Sequence, residues 1–197
     1  MEIDPETADG LYRTVTSIIT PRPVGWISTR APDGTDNLAP YSFFNGLNEK
    51  TPPVVMFSAE DSSSGISKDS VANVIETGEF VHNLVTVDLF DEMVATADSI
   101  ETEKSEFAYA NIPIEEASTV DAPRVANAKA HFECTLYDDA RIGDHTVIMG
   151  EIEHIHVDDA LCSDGVVDVR QIDPIGRLAG DYYATMDPFS VDDGPEL

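Results

Sequence analysis

The stretch ITPRPVGWISTRAPDGTDNLAPYSFF, Ile19–Phe44, decides the fold. Pro21 and Pro23 punctuate its start. Val24–Arg30 then runs as an extended segment holding the chain's one Trp. Pro32-Asp33-Gly34-Thr35-Asp36 supplies the Asp-Gly chemistry of a tight hairpin turn. Asn37–Leu47 follows as a third strand, rich in aromatic residues. Strand, turn and strand in direct succession point to antiparallel pairing and leave no room for a βα crossover.

Working outward, Leu11–Thr20 reads as another strand, with Val15, Ile18 and Ile19 apolar. Pro52-Pro53 opens Val54–Ala59, a short strand of buried character. After the Asp61–Ile66 loop a helix is expected. Ser67 or Asp69 caps it, Val71, Val74 and Ile75 share one face, and Gly78 stops it. Glu79–Thr86 reads as a strand and Val87–Ala97 as a helix. Asp98–Glu116 reads as exposed and partly irregular. Ala128–Leu136 and Thr146–Val157 read as long strands, Val166–Val169 as a shorter one, and the chain beyond Pro188 as loose. Many short strands without regular βα alternation predict a mainly β fold, an antiparallel barrel with added helices. Neither GxGxxG nor GxxxxGK[ST] is present.

Composition narrows the function. Eleven Lys and Arg stand against 38 Asp and Glu, a formal net charge of −27 over 197 residues. With 42% hydrophobic residues the chain is still equipped to bury a core. So acidic a surface repels phosphates, so nucleic acid and anionic membranes are not expected partners. The acids are spread along the whole chain, and only four basic residues are Lys. Such a coat predicts a salt-adapted protein, of the kind found in halophilic archaea, in which screening makes self-repulsion tolerable. MEIDPETADG has neither a basic n-region nor an apolar h-region, so a cytoplasmic protein is expected. Cys134 and Cys162, without a CxxC motif, are expected as free thiols. Residues 1–188 read as one domain and 189–197 as an acidic tail.

Four segments carry candidate chemistry. Ser62, Ser63, Ser64, Gly65, Ser67, Lys68 and Ser70 stand before a helix N-terminus, where a phosphate would meet free amides and a rare cation; a polar surface loop with an N-cap is the plain alternative. Asn37–Gly46 mixes small, polar and aromatic residues around Pro40, which cannot donate to a sheet ladder. That suits a strand edge open to a flat ring, or simply a strand with aromatic core residues. His154-Ile155-His156 puts two imidazoles on one strand face, and solvent-facing histidines are the expectation. His82, His131 and His145 have no partner motif. Gly176–Tyr183 reads as a loop able to lay aromatics over a ligand or a second subunit, or equally as a turn followed by a packed aromatic edge. No HExxH, GxSxG or nucleophile triad signature occurs, so no catalytic side chain is assigned.

Three blocks occur in one order: Ile19–Phe44; PPVVMFSAEDSSSGISKDSVANVIETGEFVHNLV, Pro52–Val85; and IGRLAGDYYATM, Ile175–Met186. As an ordered set they resemble the flavin reductase-like family of the FMN-binding split barrel, which includes flavoredoxin-type proteins. The resemblance implies a six-stranded, Greek-key-like antiparallel barrel with helical additions. It implies a homodimer with FMN in a groove at or near the subunit interface, and NADH or NADPH as co-substrate. Carried onto this sequence, the flavin ring lies along Ala39, Pro40, Tyr41 and Ser42, with Trp26, Ile27, Ser28 and Thr29 beside it. Lys68, Ser70 and Ser58 meet the phosphate, helped by Arg22 and Ser64. Asn45 reaches the ribityl chain, and Gly180, Tyr182 and Tyr183 border the cofactor. Ser70 stands where Thr is commoner, and the hydroxyl is kept. The implied activity is an FMN-dependent oxidoreductase that passes reducing equivalents from NAD(P)H to flavin or another acceptor. The alternatives are an FMN-binding electron carrier or storage protein without nicotinamide turnover, and an empty barrel serving as an interaction module.

Overall fold

The computed structural model describes residues 2–61, 68–98 and 104–192. Helix α1 is Leu11–Ile18 and strand β1 Gly25–Arg30. Then come β2 (Asp36–Tyr41), β3 (Phe44–Asn48), β4 (Val54–Glu60), α2 (Asp69–Thr77), β5 (Glu79–Asn83), α3 (Phe90–Ala95), α4 (Glu106–Tyr109), β6 (Ala130–Ile142) and β7 (His145–Val157). The seven strands form one antiparallel sheet in the order β2-β1-β5-β6-β7-β4-β3.

The two edge strands of that order are consecutive in the chain. β2 and β3 are separated by Ser42 and Phe43 alone, so they are the halves of the single strand expected over Asn37–Leu47. The first half pairs with β1 and the second with β4, and the Ser58 amide donates to the Phe43 carbonyl at 2.8 Å. The sheet thereby closes on itself as six strands with one broken, and a split opens where the strand changes partner. The fold is a mainly β split barrel, as the sequence predicts.

Two glycines allow the walls to meet. A Cβ on Gly25 would stand 2.6 Å from the Phe44 ring, and one on Gly150 would stand 2.3 Å from Phe80 Cζ. Phe57, Phe80, Ile27, Cys134 and Ile148 fill the interior together with Val71 and Val74 of α2. On the outer side Trp26, Leu38, Met93, Phe107 and Val125 form a second core beneath α3 and α4. Trp26 and Ile27 of β1 therefore point into opposite cores.

Several expectations change. Leu11–Thr20 is a helix over most of its length, not a strand. Only Thr16 of α1 is buried, and Tyr12 and Ile18 face outward. The stretch from Asp98 holds α4, whose Glu106 and Phe107 are buried. The 87–97 helix starts as a 3-10 turn at Val87–Leu89. Val166–Val167 is a two-residue strand followed by a 3-10 turn at Val169–Gln171. Cys134 and Cys162 are free. Among the described residues no helix is long and apolar enough to cross a membrane.

Candidate functional site

The split is where the free edge of β2 lies. β2 pairs with β1 on one side only, through Gly25↔Tyr41 to Arg30↔Asp36. On the other side the Leu38 amide donates to Glu106 Oε2 at 3.1 Å. Outward amides alternate along a strand, so the position of Pro40 also faces outward. Its missing N–H costs the ladder no bond, which is where a strand tolerates proline.

Two adjoining cavities follow this edge. One, of about 270 Å³, is lined by Asn37, Ala39, Pro40, Tyr41, Lys68 and Ser70, facing Thr96, Asp98 and Glu106. The other, of about 160 Å³, is lined by Pro40, Tyr41, Ser42, Ser58 and Lys68, with Tyr12 and His145 at its rim. Pro40, Tyr41 and Lys68 belong to both, so the two make one groove. A larger hollow of about 820 Å³ lies on the far side of α4, lined by Gly34, Asn111 and Asn127 among others, and holds none of the expected site residues.

The 68–73 segment is placed by hydrogen bonds that explain its residues. Asn73 Nδ2 donates to Thr29 Oγ1 at 3.0 Å, and Asn37 Nδ2 donates to Ser70 Oγ at 2.7 Å. These buried bonds tie α2 to β1 and β2 and bring Lys68, the residue before the helix, to the groove. The first-turn amides of a helix have no intrahelical acceptor and can receive an anion there. Lys68 is the one Lys or Arg lining either cavity among the described residues. Glu106, buried and near Asp69, has its carboxyl pushed above the ordinary range, mainly by loss of solvent. Burial likewise pushes the Tyr41 hydroxyl up to about 12, against an opposing hydrogen bond from Ser70.

The groove thus collects Ala39, Pro40, Tyr41, Ser42, Ser58, Lys68 and Ser70. The other expected residues are placed differently. Trp26, Ile27, Ser28 and Thr29 are fully buried on a strand paired along both edges, so they support the groove from behind. Trp26 Nε1 donates to Thr96 Oγ1 at 2.8 Å and Ser28 Oγ to the Pro123 carbonyl. Arg22 is 4% exposed, and its guanidinium is engaged by the carbonyls of Thr16 (2.7 Å), Ile19 (2.9 Å) and Leu178 (2.9 Å). Only its Nε approaches the groove, 3.4 Å from Ser42 Oγ, and the rest of the guanidinium clamps carbonyls. Asn45 is exposed on β3, its Oδ1 accepting the Gly46 amide, and lines neither cavity.

Gly180 and Tyr182 lie in a turn beside α1, and Tyr183 opens a short strand, Tyr183–Thr185, paired with Ile175–Arg177. The Arg177 guanidinium stacks on Tyr183 and donates to the Gly180 carbonyl. Tyr183 packs on Phe90, and Tyr182 points to solvent. In one copy of the chain these three do not reach the groove. Ser64 and its neighbours 62–67 lie outside the described residues. Sequence reasoning missed Tyr12, Thr96, Asp98, Glu106 and His145. The acids among them carry no signal in so acidic a chain, and Tyr12 was assigned to a strand.

Comparisons with known proteins agree with this architecture. An uncharacterised protein of Aquifex aeolicus is 42% identical over 176 residues, which is 89% of each chain. The crystal structure of nitrilotriacetate monooxygenase component B from Bacillus cereus has a TM-score of 0.91 at 28% identity, covering 97% of this chain and 98% of that one. That of 2-nitrobenzoate 2-nitroreductase from Pseudomonas fluorescens has a TM-score of 0.86 at 26% identity, covering 97% and 95%. A family model described as "Flavin reductase like domain" matches residues 17–171, and this chain belongs to that family.

Proposed function

We propose that the groove binds FMN and that the protein is an NAD(P)H-dependent flavin oxidoreductase of the flavin reductase type. The observation that carries this reading is the open edge of β2 with Pro40 at its middle and Lys68 at the α2 N-terminus. A flat polar heterocycle with one anionic tail matches such a surface: carbonyls on the edge face the ring, and the cation and free amides face the tail. The flavin, once bound, supplies the hydride chemistry. The chain's residues do the rest. Lys68 and the hydroxyls of Ser58 and Ser70 hold the phosphate, Ala39–Ser42 orient the ring, and the buried Trp26–Thr29 strand keeps that edge rigid. The nitroreductase name of the Pseudomonas fluorescens relative and the description of the matching family favour a redox enzyme over an empty barrel.

A homodimer fits this reading. Tyr12 and Ile18 of α1, Ile19 just after it and Tyr182 are exposed, and Tyr12 stands at the rim of the groove. Residues 1–188 act as one domain with an acidic tail, in a cytoplasm rich in salt. Melting temperature should therefore rise between low and molar KCl, and no rise would remove the salt-adaptation reading.

The deciding experiment is a visible spectrum of the purified protein with FMN in molar KCl, followed by anaerobic NADH or NADPH. Bound flavin that bleaches supports the oxidoreductase. Bound flavin that does not bleach supports the electron carrier. Failure to take up FMN leaves the empty barrel. Lys68→Glu should weaken FMN binding at least about tenfold more than riboflavin binding, since a tenfold change is only 1.4 kcal/mol of lost charge pairing.

A further inference from the structure

β6 and β7 place His131 and His156 directly opposite each other. Side chains of such a pair leave the sheet on the same face. The ring centroids are 5.4 Å apart and the planes tilted by 46°. The two Nδ1 atoms are 3.4 Å apart. His131 Nε2 lies 3.0 Å from the Val125 carbonyl, which can only accept, so Nε2 carries the proton and Nδ1 turns a lone pair toward His156. Burial chiefly, with Arg124 and His156 adding to it and the Val125 bond and Glu115 opposing, lowers the His131 imidazole from its ordinary range.

We infer that His131 and His156 together bind a divalent ion of the copper, nickel or zinc class. Two donors, each about 2.0–2.1 Å from one tetrahedral ion, stand about 3.3–3.4 Å apart, the separation seen here. A metal-bound imidazole ordinarily donates its second N–H to a carbonyl or carboxylate, as His131 does to Val125. His131 is buried and fixed, whereas His156 is exposed, so solvent reaches the ion position from the His156 side. Arg124 and Lys129 are set against a cation here, and both are paired with acids, Arg124 with Glu115 at 3.3 Å and Glu133 at 3.6 Å and Lys129 with Asp88 at 3.6 Å. Among the described residues no third His, Cys, Asp or Glu joins a metal cluster. Water completes the coordination, and the site is open and exchangeable. Imidazole nitrogen selects borderline ions over Mg²⁺ and Ca²⁺, which the surface carboxylates attract instead. The pair sits at the opposite end of β7 from His145, roughly 35 Å along the strand at about 3.3 Å per residue, so it is separate from the groove.

The test is Cu(II) titration of the full chain in molar KCl at pH 7.5, followed by calorimetry and electron paramagnetic resonance. One ion per chain with two imidazole nitrogens in the spectrum is expected. His156→Gln, a change at an exposed position, should weaken the affinity by more than about tenfold, the loss that even an outer-shell partner's removal brings, and should erase the two-nitrogen pattern. His154→Gln, one strand pitch away on the same face, should change neither. The inference is overturned if the wild-type ion sees only oxygen donors, if His156→Gln binds as the wild type does, or if the loss follows His154→Gln instead.

Discussion

Replacing Arg22 separates two roles for the same side chain. Read from the sequence, it is a phosphate ligand. Read from the structure, it is a clamp that gathers the C-terminal carbonyls of α1 and the Leu178 carbonyl. Arg22→Met keeps much of the aliphatic stem and removes the donors. A hydrogen bond from a charged donor is worth about 1.5–3 kcal/mol, and an orphaned buried acceptor costs about 1–3 kcal/mol. The Thr16 bond is buried, whereas those to Ile19 and Leu178 are partly open to water, so one full penalty and two reduced ones apply. Removing a buried cation, which also lies 5.8 Å from the Phe43 ring centroid and close to Ser42 Oγ, returns part of its desolvation cost. The net expectation is a loss of about 2–4 kcal/mol. Arg22→Lys should fall between, since an ammonium cannot reproduce the planar fork. Urea unfolding in molar KCl measures the stability, and flavin fluorescence quenching measures FMN and riboflavin affinity on the same samples. Weaker binding of both flavins to a similar degree agrees with a clamp. A stability loss below about 1 kcal/mol, with binding weakened for FMN alone, refutes the clamp and restores the phosphate role.

Two further changes probe the barrel. Gly150→Ala puts a methyl 2.3 Å from Phe80 Cζ in a filled interior, so it should cost about 1–3 kcal/mol, and Phe80→Leu in the same chain should recover part of it by calorimetric melting. His82, stacked between Phe44 and Phe132, has its imidazole lowered to about 3, chiefly by burial. The unfolded chain therefore binds the extra proton between pH 6.5 and about 3, and stability present above pH 6.5 is lost as pH falls. Down to pH 4 the loss from this group is about 3 kcal/mol, and denaturant titrations of His82→Phe should show a correspondingly shallower slope.

What was legible in the sequence was the part fixed by local chemistry. The Asp33-Gly34 turn, Pro40 on an edge and Gly78 ending α2 each follow from backbone constraints that act over a few residues. Lys68 and Ser70 read as the start of a helix because a helix N-terminus needs no distant partner, and both line the groove. The failures are non-local. Leu11–Ile18 has Val, Ile and Thr that suit a strand, yet it docks as a helix through Thr16 and the Arg22 clamp, which no pattern within the segment encodes. Glu106 looked like one more surface acid. It is buried because Phe107 beside it anchors α4 in the outer core and carries the carboxyl to the Leu38 amide. Arg22 was scarce charge, correctly flagged as unusual, but spacing alone does not distinguish an anion from a carbonyl as its partner. His131 and His156 are 25 residues apart, and only the β6–β7 register shows that they meet.

The charge balance has a consequence that runs against ordinary anion binding. Among the described residues Arg30, Arg124, Lys129, Arg141 and Arg170 are each paired with carboxylates. Among those same described residues Lys68 has no such ion pair, and it sits at the groove with Asp69, Asp98 and Glu106 close by. A phosphate arriving there gains one short-range attraction and meets a long-range field from a chain of net charge −27. Salt weakens the second more than the first. The screening length is about 10 Å at 0.1 M and about 3 Å at 1 M, whereas a contact pair partly shielded from solvent is little affected. FMN affinity should therefore rise with KCl over that range, while riboflavin, which lacks the phosphate, changes little after correction for the common effect on ring burial. Measuring both dissociation constants at fixed pH decides it. An FMN constant that weakens with salt, as counterion competition would make it, would mean that cations other than Lys68 dominate the site and that the acidic coat does not reach it.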